Sequence, residues 1–181
     1  MQLFGISAKA TVGKDTFFKQ SADLLQLKGY SCRRLSFADC LKNELFDFCL
    51  HNYKINPFTD NADEKRIIRD ILIAHGTIKR KISNGKYWID QLSGFIPSVR
   101  RADFVFITDV RFKEYEFDEI DFISNQKGKT IYLNNDDIDF CGPERENLPR
   151  IKDLSDYIIE WPRMSKDEMN GIIREFWKEY L

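Results

Sequence analysis

The chain has 181 residues, of which 43% are hydrophobic and 31% are charged, and its formal net charge is −1. This length suits one domain with a sizeable core, and the near-zero charge argues against a protein that binds nucleic-acid polymers. The four cysteines form no C-x-x-C pair and there are two histidines, so we expect reduced thiols and no zinc site. The sequence contains neither a signal-peptide pattern nor an apolar run of about 18 residues, so we expect a cytoplasmic protein without a membrane partner.

The chain begins with a strand and a helix, followed by another of each. Residues 2–7 are a short apolar run typical of a buried strand, and the apolar spacing from Lys14 to about Leu27 predicts a helix. Residues 31–37 predict a second strand, and about 38–50 predict a second helix. This alternation indicates strands that are connected through helices.

A longer helical segment follows the second strand and helix, after a turn-rich loop. We expect one helix at about 62–74, with Asn61 as its N-cap and Gly76 as an interruption. A further helix is expected at about 87–96, where Pro97 ends or kinks it.

The rest of the chain returns to alternating strands and helices. The expected elements are a strand at 104–108, a helix at about 112–125, a strand at 129–133, a polar loop at 134–153, a strand at 156–161 and a helix from Ser165 to about Tyr180. This order predicts an α/β fold with an about five-stranded, mostly parallel sheet flanked by helices. We expect one domain over residues 1–181, with a helical insertion at about 51–100 and a lid-like loop at about 134–153.

The segment GISAKATVGKDTFF, residues 5–18, nearly matches the phosphate-binding pattern G-x-x-x-x-G-K-S/T. It stands between a predicted strand and a predicted helix, where backbone N–H groups and the helix dipole favour an anion. Ala8 replaces the first glycine of the pattern, and Asp15 replaces the hydroxyl residue that binds magnesium. The pattern therefore predicts a triphosphate site in which Lys14 contacts the outer phosphates.

Residues 13–16, Gly-Lys-Asp-Thr, resemble the G-K-D-T variant of the phosphate loop in bacteriophage-type deoxynucleoside monophosphate kinases. Other segments resemble that family in the same order over nearly the whole chain: SFADCLK at 36–42, HGT at 75–77, KYWID at 86–90, ITDVRF at 107–112, and LP at 148–149 followed by DYIIEW. The phosphate loop and D-V-R-F are the specific motifs among them. The acidic residue that the family carries shortly after the D-x-R-F arginine is out of register, with Glu114 and Glu116 nearest to it.

The resemblance implies a P-loop kinase fold and an enzyme that uses ATP and Mg²⁺ to phosphorylate a deoxynucleoside monophosphate. The catalytic residues it implies are Lys14, Asp109 and Arg111. The residues expected to bind ATP are Ala10, Thr11, Val12, Gly13, Lys14, Asp15, Thr16, Arg145 and Arg150. The residues expected to bind the acceptor, at the helical insertion and nearby, are Asp39, Lys42, Arg80, Trp88 and Arg111, and those expected near the metal are Asp15, Thr16 and Asp109.

Each assignment competes with a structural interpretation. The Asp and Thr residues could cap helices, the Lys and Arg residues could be solvated or ion-paired, and Trp88 could belong to the core. Two other functions also stay open: a kinase for another small acceptor, such as a ribonucleotide, dephospho-coenzyme A or a phosphorylated metabolite, and a nucleotide-binding module without catalysis. The sequence leaves the base, the sugar and a homodimer open, while its composition and the resemblance favour a phage origin.

Overall fold

The computed structural model describes residues 1–138 and 145–181. Its strands, in chain order, are β1 (Gln2–Ser7), β2 (Cys32–Leu35), β3 (Phe104–Ile107), β4 (Lys129–Asn134) and β5 (Tyr157–Glu160). They form one sheet in the order β2-β3-β1-β4-β5, and every neighbouring pair is parallel. The α/β fold with a five-stranded parallel sheet is therefore confirmed.

Helices connect these strands. In chain order they are α1 (Lys14–Leu27), α2 (Phe37–Glu44), α3 (Phe46–Tyr53), α4 (Ala62–Ile82), α5 (Lys86–Ser93), α6 (Ile96–Val99), α7 (Glu119–Asn125), α8 (Leu148–Leu154) and α9 (Lys166–Trp177). The predicted N-caps are confirmed, since the Asn61 side chain accepts from Asp63 N and Glu64 N and the Ser165 side chain accepts from Glu168 N. None of the described helices is long and apolar enough to cross a membrane.

Three helix predictions are corrected by the structure. The helix predicted to stop near Gly76 continues to Ile82, because Gly76 packs against α2 and its carbonyl accepts the Trp88 indole N–H at 3.1 Å. The helix predicted at 38–50 is two helices, α2 and α3, that meet at Leu45. The helix predicted from 112 begins only at Glu119, because the preceding backbone N–H groups bond to side chains.

The loop predicted at 134–153 is also partly corrected. Its end is helical, as α8, with Pro149 in the first turn where the missing N–H costs nothing. Residues 139–144 of the predicted loop, which include Cys141, lie outside the described residues. The other three cysteines are free and buried.

Apolar side chains cover both faces of the sheet. On one face α1 and α9 enclose an aromatic cluster in which Phe4, Phe106 and Trp177 are each at most 1% exposed. On the other face α2, α5, α7 and α8 pack over Val105 and Ile107. This arrangement leaves the carboxyl ends of β1 and β3 side by side at one edge, where ligands bind in parallel α/β sheets.

Candidate functional site

The segment that matches the phosphate-binding pattern forms a tight loop between β1 and α1. Gly13 is the N-cap of α1 with φ of 109°, a left-handed conformation that favours glycine. A Cβ at Gly13 would lie 3.2 Å from Trp161 Nε1, so the space is also restricted. Ala8, which replaces the first glycine of the pattern, is buried and is not among the described residues with positive φ. An alanine therefore fits that position without strain.

Lys14 folds back across its own loop. Its Nζ donates to the carbonyls of Ala8 at 3.0 Å and Lys9 at 3.2 Å, which places the ammonium group over the turn. Asp15 and Thr16 are exposed in the first turn of α1, directly after Lys14. The loop thus places one ammonium group and two oxygen-bearing side chains at the consecutive residues 14–16.

Lys9, in the same loop, bonds to the segment that follows β4. Its Nζ donates to the carbonyls of Asn135 at 3.0 Å and Ile138 at 2.8 Å, so it ties the segment after β4 to the phosphate loop. Trp161, directly after β5, packs edge-on against Phe17 of α1, and its backbone N–H donates to the carbonyl of Asn134. These contacts fix the loop against the two strands on its far side.

Asp109 is nearly buried two residues beyond the end of β3, and its carboxylate binds the start of α2. Oδ2 accepts from Ser36 Oγ at 2.8 Å and Ala38 N at 2.7 Å, and Oδ1 accepts from Phe37 N at 2.9 Å. Asp109 therefore does bind the N-terminus of a helix, as its structural interpretation proposed. That helix is α2, which precedes β3 in the chain, and not the helix that follows Asp109. The carboxylate links the end of β3 to the wall of a cavity.

That cavity has a volume of about 700 Å³ and lies between α2, α4, α5 and the end of β3. Its apolar wall consists of Phe37, Ala38, Leu41, Pro57, Ala62, Ile68, Leu72, Ile73, Gly76, Trp88 and Phe112. Its polar lining consists of Lys42, Lys65, Arg66, Arg69, Thr77, Arg80, Asp109, Arg111 and Glu119. An apolar wall with several cations suits a ligand that combines an apolar part with an anion.

Four of the five predicted acceptor residues line this cavity. Lys42 lies at its rim, with Nζ 5.3 Å from the centre of the Phe58 ring. Trp88 is 4% exposed and also lines the cavity, so it is both core and lining. Arg111 also lines the cavity, and its backbone N–H donates to Glu119 Oε2 at 2.6 Å.

Asp39 is the exception among the predicted acceptor residues. Its carboxylate pairs with Arg34 Nη1 at 2.6 Å, and it does not belong to the described lining of the cavity. The physical reason is the helical turn: Ala38 faces the cavity, whereas its neighbour Asp39 points back toward β2. We therefore leave Asp39 out of the acceptor site.

Arg80 is held in a buried cluster of charges. Its guanidinium contacts Asp118 at 2.8 Å and Glu119 and Glu114 at 3.4 Å each, and it stacks over the Phe112 ring at 4.0 Å. The carboxylates raise the pKa of Arg80, so it stays charged despite its burial. Arg80 thus lines the cavity while its charge is balanced by its own protein.

Glu119 shares that guanidinium and is itself 2% exposed. Burial raises the pKa of Glu119 to about 8, although Arg80 and the N–H of Arg111 act in the opposite direction. Asp118, a second buried carboxylate on the same guanidinium, adds to this rise in the pKa of Glu119. The carboxyl group therefore titrates near neutral pH.

The two loop arginines predicted to bind ATP lie around the start of α8. Arg150 Nη1 donates to the carbonyl of Lys113 at 3.3 Å, which places it against the segment after β3. Arg145 is exposed and stands at the first described position after the gap. The structure thus brings Arg150 toward the Arg111 segment.

Sequence reasoning missed two features of the cavity. The rim cations Lys65, Arg66 and Arg69 belong to α4, where the sequence shows only a charged helix face. Glu119 was missed because the family pattern directed attention to Glu114 and Glu116. The signal that could have found it is the Asp-Glu pair at 118–119, a pattern typical of the start of a helix.

The residues near the phosphate loop fit a magnesium ion that arrives with a nucleotide. Among the described residues there is no group of three or more His, Cys, Asp or Glu side chains that could hold a metal alone. Mg²⁺ in such sites is bound by one or two protein oxygens, with phosphates and water as its other ligands. Asp15 and Thr16, exposed in the first turn of α1, offer oxygens of that kind.

Comparison with known proteins identifies the fold. No protein-family model matches the sequence, and no curated protein matches it. Among solved structures, shikimate kinase from Bacteroides thetaiotaomicron superposes with a TM-score of 0.53 at 10% identity, over 99% of this chain and 98% of the other. Dephospho-CoA kinase from Campylobacter jejuni superposes with a TM-score of 0.47 at 17% identity, over the same shares. The sheet, its strand order and its flanking helices are those of the P-loop kinase fold.

Proposed function

We propose that this protein is a deoxynucleoside monophosphate kinase, which transfers the γ-phosphoryl group of ATP to a dNMP. The observation that carries the proposal is the pairing of two anion sites on adjacent strands. The phosphate loop follows β1, and the cavity with Arg111 follows β3, the parallel neighbour of β1. Two phosphorylated ligands bound there would approach each other at one edge of the sheet.

The proposed reaction needs positioning more than acid or base chemistry. An oxygen of the acceptor phosphate forms a bond to the γ-phosphorus, the bond to the β–γ bridging oxygen breaks, and the products are ADP and a dNDP. The second pKa of a phosphate ester is about 6, so the acceptor is largely ionised at neutral pH. The protein's task is then to align two anions and stabilise their charge.

Lys14 and Arg111 would supply the principal positive charges. On ATP binding, Lys14 would exchange the carbonyls of Ala8 and Lys9 for β- and γ-phosphate oxygens. The Arg111 guanidinium, at the cavity, would bind the acceptor phosphate with its two-pronged geometry. Asp109 would hold α2, and with it Ala38 of the cavity wall, at a fixed distance from β3.

Asp15 and Thr16 would hold the Mg²⁺ that accompanies ATP, with Asp109 nearby through water. The ion supplies charge neutralisation and orientation of the phosphates when it is bound. Arg145 and Arg150, around the start of α8, are proposed to contact ATP phosphates as the region closes. Residues 1–181 would act as one domain, with α3 to α6 as its acceptor-binding part.

The composition of the cavity supports a nucleotide as acceptor. The apolar side chains of Trp88, Leu41, Ile68 and Leu72 line the cavity and would form a surface for a base, which a compact polyhydroxylated acceptor would not need. The cations at the rim and at Arg111 suit the monophosphate. The preference for deoxyribose comes from the family resemblance of the phosphate loop and the D-V-R-F segment.

A coupled ADP-release assay tests this function. The full chain is incubated with ATP, Mg²⁺ and one acceptor at a time: dAMP, dGMP, dCMP, dTMP, the four ribonucleotides, shikimate and dephospho-coenzyme A. The controls are Lys14→Ala in the phosphate loop and Lys19→Ala, an exposed lysine on the same helix. We expect at least one dNMP to stimulate ADP release in the wild type and in Lys19→Ala, and none to do so in Lys14→Ala.

Other results would redirect the proposal. Stimulation by a ribonucleotide alone, or by shikimate or dephospho-coenzyme A alone, would keep a kinase and replace its acceptor. Binding of ATP with no stimulation by any compound would contradict the kinase and favour a nucleotide-binding module.

A further inference from the structure

Glu119 contacts both the backbone at Arg111 and the buried side chain of Arg80. It is 2% exposed, at the first position of α7. Its Oε2 accepts the backbone N–H of Arg111 at 2.6 Å and of Phe112 at 3.1 Å, and its Oε1 lies 3.4 Å from Arg80 Nη1. One carboxylate therefore touches the segment that carries Arg111 and the buried arginine beside the cavity.

We propose that Glu119 is a positioning residue of the acceptor site, which holds the backbone at Arg111 so that its side chain is presented to the cavity. This inference rests on the proposed function, because it assigns Glu119 a part in the binding of the acceptor phosphate. Glu119 acts through Arg111 and Arg80, and the proposal does not require it to touch the substrate.

The backbone around Arg111 depends on such contacts because it has no regular structure of its own. Residues 110–118 lie between β3 and α7 without helix or strand. Five consecutive N–H groups, those of residues 110–114, find distant partners in turn: Ile6 O, Glu119 for two of them, Asn147 Oδ1 and Asp118 Oδ2. Side chains thus replace the hydrogen bonds that a helix or strand would provide.

Glu119 is the acceptor for the two N–H groups nearest the arginine side chain. Its removal would leave the N–H groups of Arg111 and Phe112 without their acceptor at a partly buried position. Such groups are costly to leave unbonded, so the local turn would shift until they found water or another partner. The flanking bonds of Val110 to Ile6 and of Lys113 to Asn147 would remain and would confine the shift to the Arg111 region.

Charge balance explains why an acidic residue is tolerated beside an anion site. A bare carboxylate lining the cavity would repel the acceptor phosphate. Here the raised pKa keeps much of Glu119 protonated at neutral pH, and the Arg80 guanidinium, which lies against Glu119 and Asp118 and stacks on the Phe112 ring, offsets the negative charge that remains. Arg80, which the sequence assigned to the acceptor, would on this view support Arg111 by neutralising the residue that positions it.

The test is a double-mutant cycle on acceptor kinetics with the full chain. Glu119→Ala removes the acceptor of both N–H groups, while Glu119→Gln keeps a carbonyl oxygen that can accept them. Each is made in the wild type and in Arg111→Ala, and the best dNMP of the ADP-release assay is the substrate. Folding is checked by thermal unfolding, and Glu119→Asp, whose shorter side chain withdraws the oxygen, replaces Glu119→Ala if that variant does not fold.

We expect Glu119→Ala to lower kcat/KM for the acceptor by about tenfold or more, with the KM for ATP changed less than about twofold. Glu119→Gln should recover most of this loss. In the Arg111→Ala background, Glu119→Ala should have no further effect beyond about twofold, because the side chain it positions is gone. Backbone amide exchange at residues 111 and 112 should be faster in Glu119→Ala and close to wild type in Glu119→Gln.

Two results would overturn the inference by itself. One is an equal loss from Glu119→Ala in both backgrounds, which would indicate a general structural role. The other is wild-type acceptor kinetics in a folded Glu119→Ala variant. A wild-type protein that turns over none of the acceptors would overturn the proposed function, and this inference with it, before any variant is compared.

Discussion

The two halves of the site are built in different ways. The phosphate loop is one short stretch, residues 8–14, that owes its shape to the turn between β1 and α1. The cavity wall draws on α2, α4, α5 and the segment after β3, and the charges around Arg80 come from residues far apart in the chain. The first half presents backbone groups, and the second half presents side chains held by other side chains.

This difference predicts how strongly a single substitution in each half should reduce activity. A loop of backbone donors has few side chains that matter, and the loss of one of them removes a whole function. In a network of side chains, several residues share the balancing of charge. A single substitution there should therefore reduce binding of the acceptor only in part. The predictions below probe the loop first, where we expect the largest effects, and then the network.

Lys14→Ala should give the largest effect on activity. In the proposed reaction, Lys14 places a positive charge on the transferred phosphoryl group, and its present partners are carbonyls of the same turn. We expect kcat/KM to fall by about 100-fold or more, with the thermal unfolding midpoint nearly unchanged. The measurement is ADP release at saturating acceptor, with Lys19→Ala as the matched control. A fall in kcat/KM of only a few fold would contradict the expectation that the loop is more sensitive to a single substitution than the cavity.

Gly13→Ala should damage the loop through its backbone. The alanine would have to adopt φ near 109°, and its Cβ would lie 3.2 Å from Trp161 Nε1. We expect a loss of about 1 to 2 kcal/mol in the free energy of unfolding. Urea unfolding measures this loss, and weaker ATP binding should accompany it.

Gly29→Ala provides the comparison for Gly13→Ala. Gly29 also has a positive φ, 90°, but nothing lies within 4 Å of an added Cβ there. A similar stability loss for both variants with ATP binding impaired only in Gly13→Ala would assign the binding defect to the loop. Impaired ATP binding in both would contradict that assignment.

Most of the fold could be predicted from the sequence because its signals are local. Apolar runs marked β1, β3, β4 and β5, whereas the more polar β2 was recognised from a short segment between two helices, and side-chain caps marked the starts of α4 and α9. The errors arose where tertiary contacts override local preference. Gly76 remains helical because it packs against Leu41, and the segment before Glu119 is not helical because side chains take its N–H groups.

The candidate site, like the fold, could be predicted where its residues are close in sequence and not where they come from separate elements. The phosphate loop could be located because its seven residues are contiguous, so spacing alone specifies the geometry. The cavity could be located only in part, since whether a charged residue faces it depends on the packing of separate helices. Lys42 lines the cavity whereas Asp39, three residues earlier, does not. Glu119 could not be assigned because its partners, Arg111 and Arg80, are 8 and 39 residues away.

The pH dependence of stability probes the buried network. The pKa of Glu119 is raised to about 8, above its ordinary value of 4.5, and the charged groups that face it are Arg80, Asp118 and Asp109. A raised pKa means that the folded state holds the proton more tightly than the unfolded state, so stability is lost as pH rises from about 4.5 to about 8. Glu119→Gln cannot ionise and should lack this loss.

We therefore expect the free energy of unfolding of the wild type to fall relative to Glu119→Gln by about 1 kcal/mol or more between pH 5 and pH 8. Urea unfolding of both proteins across that range measures the difference. The other titrating groups are shared by the two proteins and cancel. Parallel curves would mean that Glu119 keeps its ordinary pKa and that Arg80 neutralises it fully.

Asp39→Asn should give the smallest effect, and Arg69→Ala is its counterpart within the cavity. Asp39 pairs with Arg34 at a position about one third exposed, where an ion pair contributes less than about 1 kcal/mol, and it lies outside the cavity lining. Arg69 lines the cavity rim. We expect Asp39→Asn to leave the acceptor KM within about twofold of wild type and Arg69→Ala to raise it several fold, through loss of a cation near the phosphate or base. The reverse order would place the acceptor on the β2 side of α2, beside Asp39, and would make the cavity between α2 and α4 a structural void instead of a binding site.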